Sequence, residues 1–169
     1  MTDKERTGLL IGCGLAALSL AIVWFMRSRV AEQHVVHVAD VPMVFQQLRA
    51  QGSDGSFATF MFSDHGKPGE ANAINLQFSI EDGAIGLDWV LRAPVNVRDE
   101  QRVFDFLKAR HANPRRLTWK GVSYLRVEEG DLVQLCQHIM SGLYGVRADE
   151  RLDLLPKGFE WKPSNGERG

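Results

Sequence analysis

The chain opens with a long apolar run that carries no charged residue between Arg6 and Arg27. A helix over residues 7–26 would be about 30 Å long, which matches the hydrocarbon core of a bilayer. We therefore predict a single membrane-spanning helix, because only a helix satisfies the backbone of one isolated segment in lipid. Its lipid-facing residues are expected to be Leu9, Leu10, Ile11, Leu15, Leu18, Leu20, Ile22, Val23, Trp24 and Phe25.

The same run favours an anchor that is not removed by processing. No clean pair of small residues follows it at the spacing that a signal peptidase requires. Residues 10–13 resemble a lipoprotein signal ending in Cys13, but the apolar stretch continues well beyond that cysteine. Lipidation is therefore the less favoured alternative, and the chain is expected to be a signal-anchor protein.

The positive charges on the two sides of the anchor are nearly equal, so they favour neither orientation in the membrane strongly. Lys4 and Arg6 precede the run, and Arg27 and Arg29 follow it. Asp3 and Glu5 weaken the positive charge of the N-terminal side, which favours a C-terminal domain on the cytoplasmic face. In a bacterium the anchor would lie in the inner membrane.

Small residues recur every fourth position along the predicted anchor, at Gly8, Gly12 and Ala16. Such a stripe allows two helices to approach closely, so a homodimer through the membrane helix is one hypothesis. The alternative is that small residues are simply common in membrane helices.

Beyond the anchor, hydrophobic positions alternate in the manner of strands. Residues 74–80 and 85–91 each place apolar side chains on one face, and Glu81-Asp82-Gly83 between them has the composition of a tight turn. Residues 115–119 and 122–127 predict a second hairpin around Lys120-Gly121. Segments 56–62 and 151–161 add further strands.

Helical periodicity separates these strands. Asp40 and Pro42 predict a helix start, and Gly52 its end. Residues 97–110 and a segment from Asp131 to about Gly142 predict two more helices. The order of elements favours an α+β fold in which an antiparallel sheet packs against two or three helices.

The pattern divides the chain into four parts. Residues 1–29 form the anchor, 30–39 a tether containing His34 and His37, 40–161 a single α+β domain, and 162–169 a disordered tail.

Composition narrows the class of protein. The chain has 169 residues, of which 24% are charged, with two cysteines and a net charge of -1. This composition excludes collagen-like, disordered and disulfide-stapled chains. A net acidic domain and the lack of an aromatic stripe interleaved with the basic run argue against nucleic-acid binding. Cys136 lies on the apolar side of a predicted helix and is expected to be a core thiol.

Candidate binding residues lie in a basic stretch that has no acidic residue between Asp105 and Glu128. They are Arg110, Arg115, Arg116 and Lys120. Basic residues near a helix C-terminus normally complement the helix dipole. The functional alternative is a patch for anionic lipid or for an acidic protein partner.

A polar loop over 63–73 supplies two further candidates, Asp64 and His65. Its glycines and proline are typical of an exposed turn, although loops of this kind often carry binding residues. A membrane-tethered hydrolase that uses this loop is the alternative function. No nucleophile elbow, phosphate loop or metal-protease spacing is present, so we predict no cofactor and no metal.

These observations favour a non-enzymatic module that presents a small domain at a membrane surface and binds a protein partner. The layout resembles that of membrane-tethered bacterial accessory proteins, including some toxin-immunity proteins, by architecture and not by any particular residue. The resemblance implies an inhibitory role. An acidic group at Asp149, Glu150 and Asp153 is one candidate contact for a basic partner.

Overall fold

The computed structural model describes residues 33–64, 72–119 and 121–163. Within them, seven strands form one antiparallel sheet in the spatial order β1-β7-β2-β3-β4-β6-β5. The strands are β1 His34–His37, β2 Phe57–Ser63, β3 Ala73–Glu81, β4 Ala84–Val90, β5 Arg115–Trp119, β6 Val122–Val127 and β7 Arg151–Lys157.

Four helices accompany the sheet in this part of the chain, one more than expected. They are α1 Val41–Gln51, α2 Pro94–Arg98, α3 Glu100–Lys108 and α4 Leu132–His138. A π-helical turn, Ile139–Leu143, extends α4. The extra helix arises because the segment predicted as one helix over 97–110 is divided at Asp99. Its first part, α2, begins at Pro94, which is favoured in the first turn of a helix.

Alternate residues of the strands form the core against these helices. The rings of Phe60 and Phe78 meet edge to face at 5.9 Å, and Phe45 of α1 meets Phe78 at 5.0 Å. Trp89 stacks on Tyr144 at 5.7 Å and donates its indole N–H to the Asn96 carbonyl at 2.9 Å. These contacts confirm an α+β domain built on an antiparallel sheet.

Both predicted hairpins are present. In the first, Ile80 pairs with Ile85 and Glu81 with Ala84, which leaves a two-residue turn. Asp82 has φ 52° and Gly83 has φ 76°, and two positive φ angles are what a type I′ turn requires. The second hairpin pairs Trp119 with Val122.

The structure corrects the N-terminal boundary of the domain. Residues expected to be a tether form β1, in which His34 pairs with Leu154 and His37 with Arg151 of β7. Val36 is only 2% exposed, because β1 pairs with β7, a strand that lies more than a hundred residues later in the sequence. Local pattern does not reveal such a distant pairing. At the other end, β7 stops at Lys157, since Gly158 has φ 80°.

Among the residues that the structure describes, no helix has the length and apolar character needed to cross a bilayer. The predicted anchor with its Gly8, Gly12 and Ala16 stripe lies outside the described residues, and so does the predicted tail over 162–169 apart from its first two residues.

The type I′ turn yields a test of the first hairpin. Nothing lies within 4 Å of the position that a Cβ of residue 83 would take, so a substitution there tests only the backbone conformation. We expect Gly83→Ala to lower the free energy of unfolding by about 1 kcal/mol, because alanine is strained at positive φ. Gly83→Asn should cost less, since asparagine tolerates this conformation. Urea denaturation measures both, and equal losses would contradict the assigned turn.

Candidate functional site

The two faces of the sheet differ in chemistry. The helices pack on the face that carries Phe60, Phe78 and Trp89. Strand alternation places another set of side chains on the opposite face, which we call the polar face. Its central members are Thr59, Gln77, Ser79, Glu81, Gly86, Asp88, Tyr124 and Arg126.

A buried arginine dominates this polar face. The side chain of Arg126 has no solvent exposure, and that of Asp88 has 1%. The Arg126 Nη1 donates to Asp88 Oδ1 at 2.9 Å and to Ser79 Oγ at 2.8 Å. Its Nε donates to Glu128 Oε1 at 2.7 Å, and its Nη2 to the Ala84 carbonyl at 3.0 Å. Every nitrogen of the guanidinium therefore donates a hydrogen bond within the protein.

A glycine makes room for this arginine. A Cβ at Gly86 would lie 2.4 Å from Cζ of Arg126. Any other residue at position 86 would displace the guanidinium, so the glycine of β4 is needed for a close approach rather than for a turn.

The network shifts the ionisation of its members. Burial raises the pKa of Asp88 to about 6, even though the charge of Arg126 and the hydroxyl of Ser79 lower it. Burial lowers the pKa of Arg126, but the neighbouring carboxylates raise it more, so the guanidinium stays charged. The hydrogen bond from Arg126 lowers the pKa of Glu128. Arg126 is thus held between carboxylates that are ionised at neutral pH.

A cleft of about 610 Å³ opens on the polar face above this network. Its walls include Phe57, Val90, Trp119, Val122 and Tyr124, and Ser79, Glu81 and Asp88 contribute polar groups. Tyr124 donates its hydroxyl to Glu81 Oε2 at 2.8 Å, and burial raises its pKa to about 12. Trp119 is 59% exposed at the end of β5. The cleft combines an aromatic lining with buried polar groups, which is the usual composition of a binding site.

The basic residues predicted as a binding patch are spread apart. The Cζ of Arg110 lies 3.4 Å from the centre of the Phe106 ring, and its Nη1 donates to the Phe106 carbonyl at 3.2 Å. Arg110 therefore stabilises the C-terminal end of α3. Arg115 and Arg116 are consecutive in β5 and point to opposite faces of the sheet. Arg115 forms an ion pair with Glu128, and the Nε of Arg116 lies 3.1 Å from Glu100. Lys120 lies outside the described residues.

The loop candidates are only partly described. His65 and residues 66–71 lie outside the described residues, so the hydrolase hypothesis stays a prediction. Asp64 is 6% exposed, and its Oδ2 accepts a hydrogen bond from Arg98 Nη2 at 3.0 Å.

Arg98 links Asp64 to the junction between α2 and α3. Its Nε donates to Asp99 Oδ1 at 2.6 Å, and the Tyr144 hydroxyl donates to Asp99 Oδ2 at 3.0 Å. The hydrogen bond from Arg98 holds the pKa of Asp99 below its usual value. This cluster ties the end of β2 to the helices, which gives Asp64 a structural role.

Other sequence candidates have local partners. Asp149 pairs with Arg147 at 3.0 Å, and Glu150 accepts from the Arg147 amide at 3.1 Å. Cys136 is fully buried, as expected of a core thiol, and burial raises its pKa. In the described ranges no group of three or more His, Cys, Asp or Glu residues is arranged to hold a metal ion.

The residues of the cleft were not singled out by sequence reasoning, although a signal was available. Asp88 stands between Leu87 and Trp89 in β4, and Arg126 between Leu125 and Val127 in β6. A charge in the middle of an alternating strand marks a polar face. The pairing that brings Asp88 beside Arg126 connects two different hairpins, so it is visible only in the structure.

Comparison with known proteins gives no family for this chain: no family model matches it, and neither does any curated protein or solved structure.

The raised pKa of Asp88 predicts a specific dependence of stability on pH. Between about pH 4 and 6 the folded protein binds a proton at Asp88 that the unfolded chain has released, so the stability contributed by this group falls as pH rises. From pH 4 to 7, we expect the unfolding free energy of the wild type to fall by roughly 3 kcal/mol relative to that of Asp88→Asn, since one pKa unit is worth about 1.4 kcal/mol.

Urea denaturation of both proteins at several pH values measures this difference. Carboxylates with lowered pKa values, such as Asp99, affect both proteins alike and cancel. A difference that stays constant between pH 4 and 7 would contradict the assignment.

Proposed function

We propose that this protein is a membrane-anchored binding module whose α+β domain binds a protein partner through the cleft of the polar face. The observation that carries the proposal is the cleft itself, which has an aromatic wall and a rigid polar floor. Inhibition of the partner, as in immunity proteins, is the form of binding that the architecture favours, because occupation of an enzyme's site requires no chemistry from the inhibitor.

Exposure of Trp119 supports this use of the cleft. The two other tryptophans among the described residues are buried, Trp89 at 1% and Trp161 at 8% exposure. Tryptophan is enriched at the centres of protein interfaces, because its large ring gives contact area at a low entropic cost. An exposed tryptophan at the edge of a concave surface is therefore a good anchor for a partner.

The membrane part of the proposal depends on the sequence. Twenty consecutive uncharged residues over 7–26 are long enough to span a bilayer. We propose that this segment holds the domain at the cytoplasmic surface, where anchoring raises its local concentration near a membrane partner.

Fractionation tests the anchor. The full-length chain is expected to sediment with membranes, to resist extraction by carbonate and to dissolve in detergent. Replacing Leu15 and Leu18 by arginine should move it to the supernatant, because each charge at a helix centre costs about 3 kcal/mol on insertion scales. Replacing the exposed Val35 and Val97 in the same way is the control and should leave it in the pellet. Full-length wild-type protein in a detergent-free supernatant would refute the anchor.

Site-specific photocrosslinking tests the cleft as the binding site. A photoreactive residue at Trp119 or Val122 lies in the cleft, whereas one at Val97 is about as exposed as Trp119 but lies on α2. In cells that express the protein natively, both cleft positions are expected to give one adduct of the same mass, and position 97 none. Adducts from all three positions, or none from the cleft, would contradict the proposal.

A further inference from the structure

We propose that the cleft of the polar face binds a cationic side chain, arginine or lysine, presented by a basic segment of the protein partner. This inference rests on the proposed function and adds the chemistry by which the partner is recognised. Three features of the cleft support it: its charge, the direction of its hydrogen bonds and its aromatic wall.

The charge of the lining is strongly negative. Among the described residues, four carboxylates line the cleft, those of Asp54, Glu81, Asp82 and Asp88, together with the ammonium group of Lys157. Their sum is -3, and it is still -2 when the buried Arg126 beneath the floor is added. A cation is attracted to such a concave surface, because low-dielectric walls concentrate the field of the carboxylates.

The hydrogen-bond donors at the floor of the cleft are engaged within the protein. Arg126 donates to Asp88, Ser79, Glu128 and the Ala84 carbonyl, and its side chain has no solvent exposure, so it is not accessible to an anionic ligand. The Ser79 hydroxyl donates to Asp88 at 2.5 Å, and the Tyr124 hydroxyl donates to Glu81 at 2.8 Å.

The remaining polar capacity around Glu81 is that of an acceptor. A carboxylate accepts about four hydrogen bonds. Glu81, whose side chain is 34% exposed, accepts a hydrogen bond from the Tyr124 hydroxyl, and the Ser79 hydroxyl, which donates to Asp88, lies 3.4 Å from its Oε1. A ligand that donates hydrogen bonds therefore complements the cleft, and an ammonium or guanidinium group does so with charge as well.

The aromatic residues complete a site for a cation. Trp119 and Tyr124 line the same cleft as Glu81, and indole is the aromatic ring that attracts a cation most strongly. Lys157 shows the same preference on the opposite wall, where its Nζ lies 5.4 Å from the centre of the Phe57 ring.

A protein segment fits better than a small amine. The cleft, at about 610 Å³, has room for more than one side chain. Trp119 ends β5, which pairs only with β6 in the described part of the sheet. The outer backbone groups of this edge strand can pair with an extended segment of the partner, and a cationic side chain of that segment can then enter the cleft.

Peptide binding to the full-length protein in detergent tests the inference. The probe is a fluorescent acetyl-(Gly-Arg)3 amide, and its matched control replaces each arginine by citrulline, which has the same shape without the charge. We expect the arginine peptide to bind at low salt and the citrulline peptide to bind at least about tenfold more weakly, because it lacks the charge-assisted hydrogen bonds.

Variants locate the site. Glu81→Gln removes the charge but keeps an acceptor for Tyr124, and it should weaken binding about tenfold, which is the effect of a lost charged contact. Glu129→Gln removes the same charge at an exposed position outside the cleft and should change binding less than twofold, as expected for a distant surface charge. Trp119→Ala should weaken binding about threefold through loss of the cation–π contact.

Several outcomes would overturn the inference. They are equal binding of the citrulline peptide, equal losses in the Glu81 and Glu129 variants, no binding of the arginine peptide, or displacement of the peptide by spermine at lower concentration than by unlabelled peptide. If crosslinking at Trp119 still captures the partner in these cases, the proposed function stands and only the cationic recognition fails.

Discussion

Burial of the Arg126 guanidinium is the constraint on which the polar face depends. Moving an arginine from water into a protein interior costs several kcal/mol unless its charge and donors are compensated. The compensation comes from Ser79 of β3, Asp88 of β4 and Glu128 after β6. Because these groups belong to different strands, the arginine fixes the register of β3, β4 and β6 together. A slip by one residue would turn Arg126 toward Phe78 and Trp89 in the apolar core.

This constraint also determines what the cleft can bind. A guanidinium with no solvent exposure contributes charge but no direct contacts to a ligand. Its pKa stays raised, so it does not lose that charge near neutral pH. The exposed part of Glu81 and the carboxylates of the β3–β4 turn then set the sign of the surface. The network therefore acts as a rigid floor, and recognition is left to the groups above it.

Much of the fold could be predicted from local pattern, and the errors have a common cause. Alternation placed β3 and β4 almost to the residue, since the signals of a type I′ turn at Asp82 and Gly83 are local. Asp40, Pro42 and Gly52 likewise gave the bounds of α1. Strand β1 was missed because Val36 is buried by β7, which comes more than a hundred residues later. The geometry of a site meets the same limit: Arg115 and Arg116 are adjacent in sequence, but a strand sends them to opposite faces, whereas Asp88 and Arg126 meet only across two hairpins.

The edge of the sheet explains why Trp119 is significant. An edge strand invites unwanted pairing, and proteins limit this with short strands and charged side chains. Strand β5 has five residues, of which Arg115 and Arg116 are held by Glu128 and Glu100. These features limit unselective pairing but still allow a specific partner to pair with the edge, and a large exposed ring adds nothing to that protection. Protection of the edge therefore does not account for Trp119, whereas a role in lining the cleft does, because the ring then contributes its surface to a bound partner.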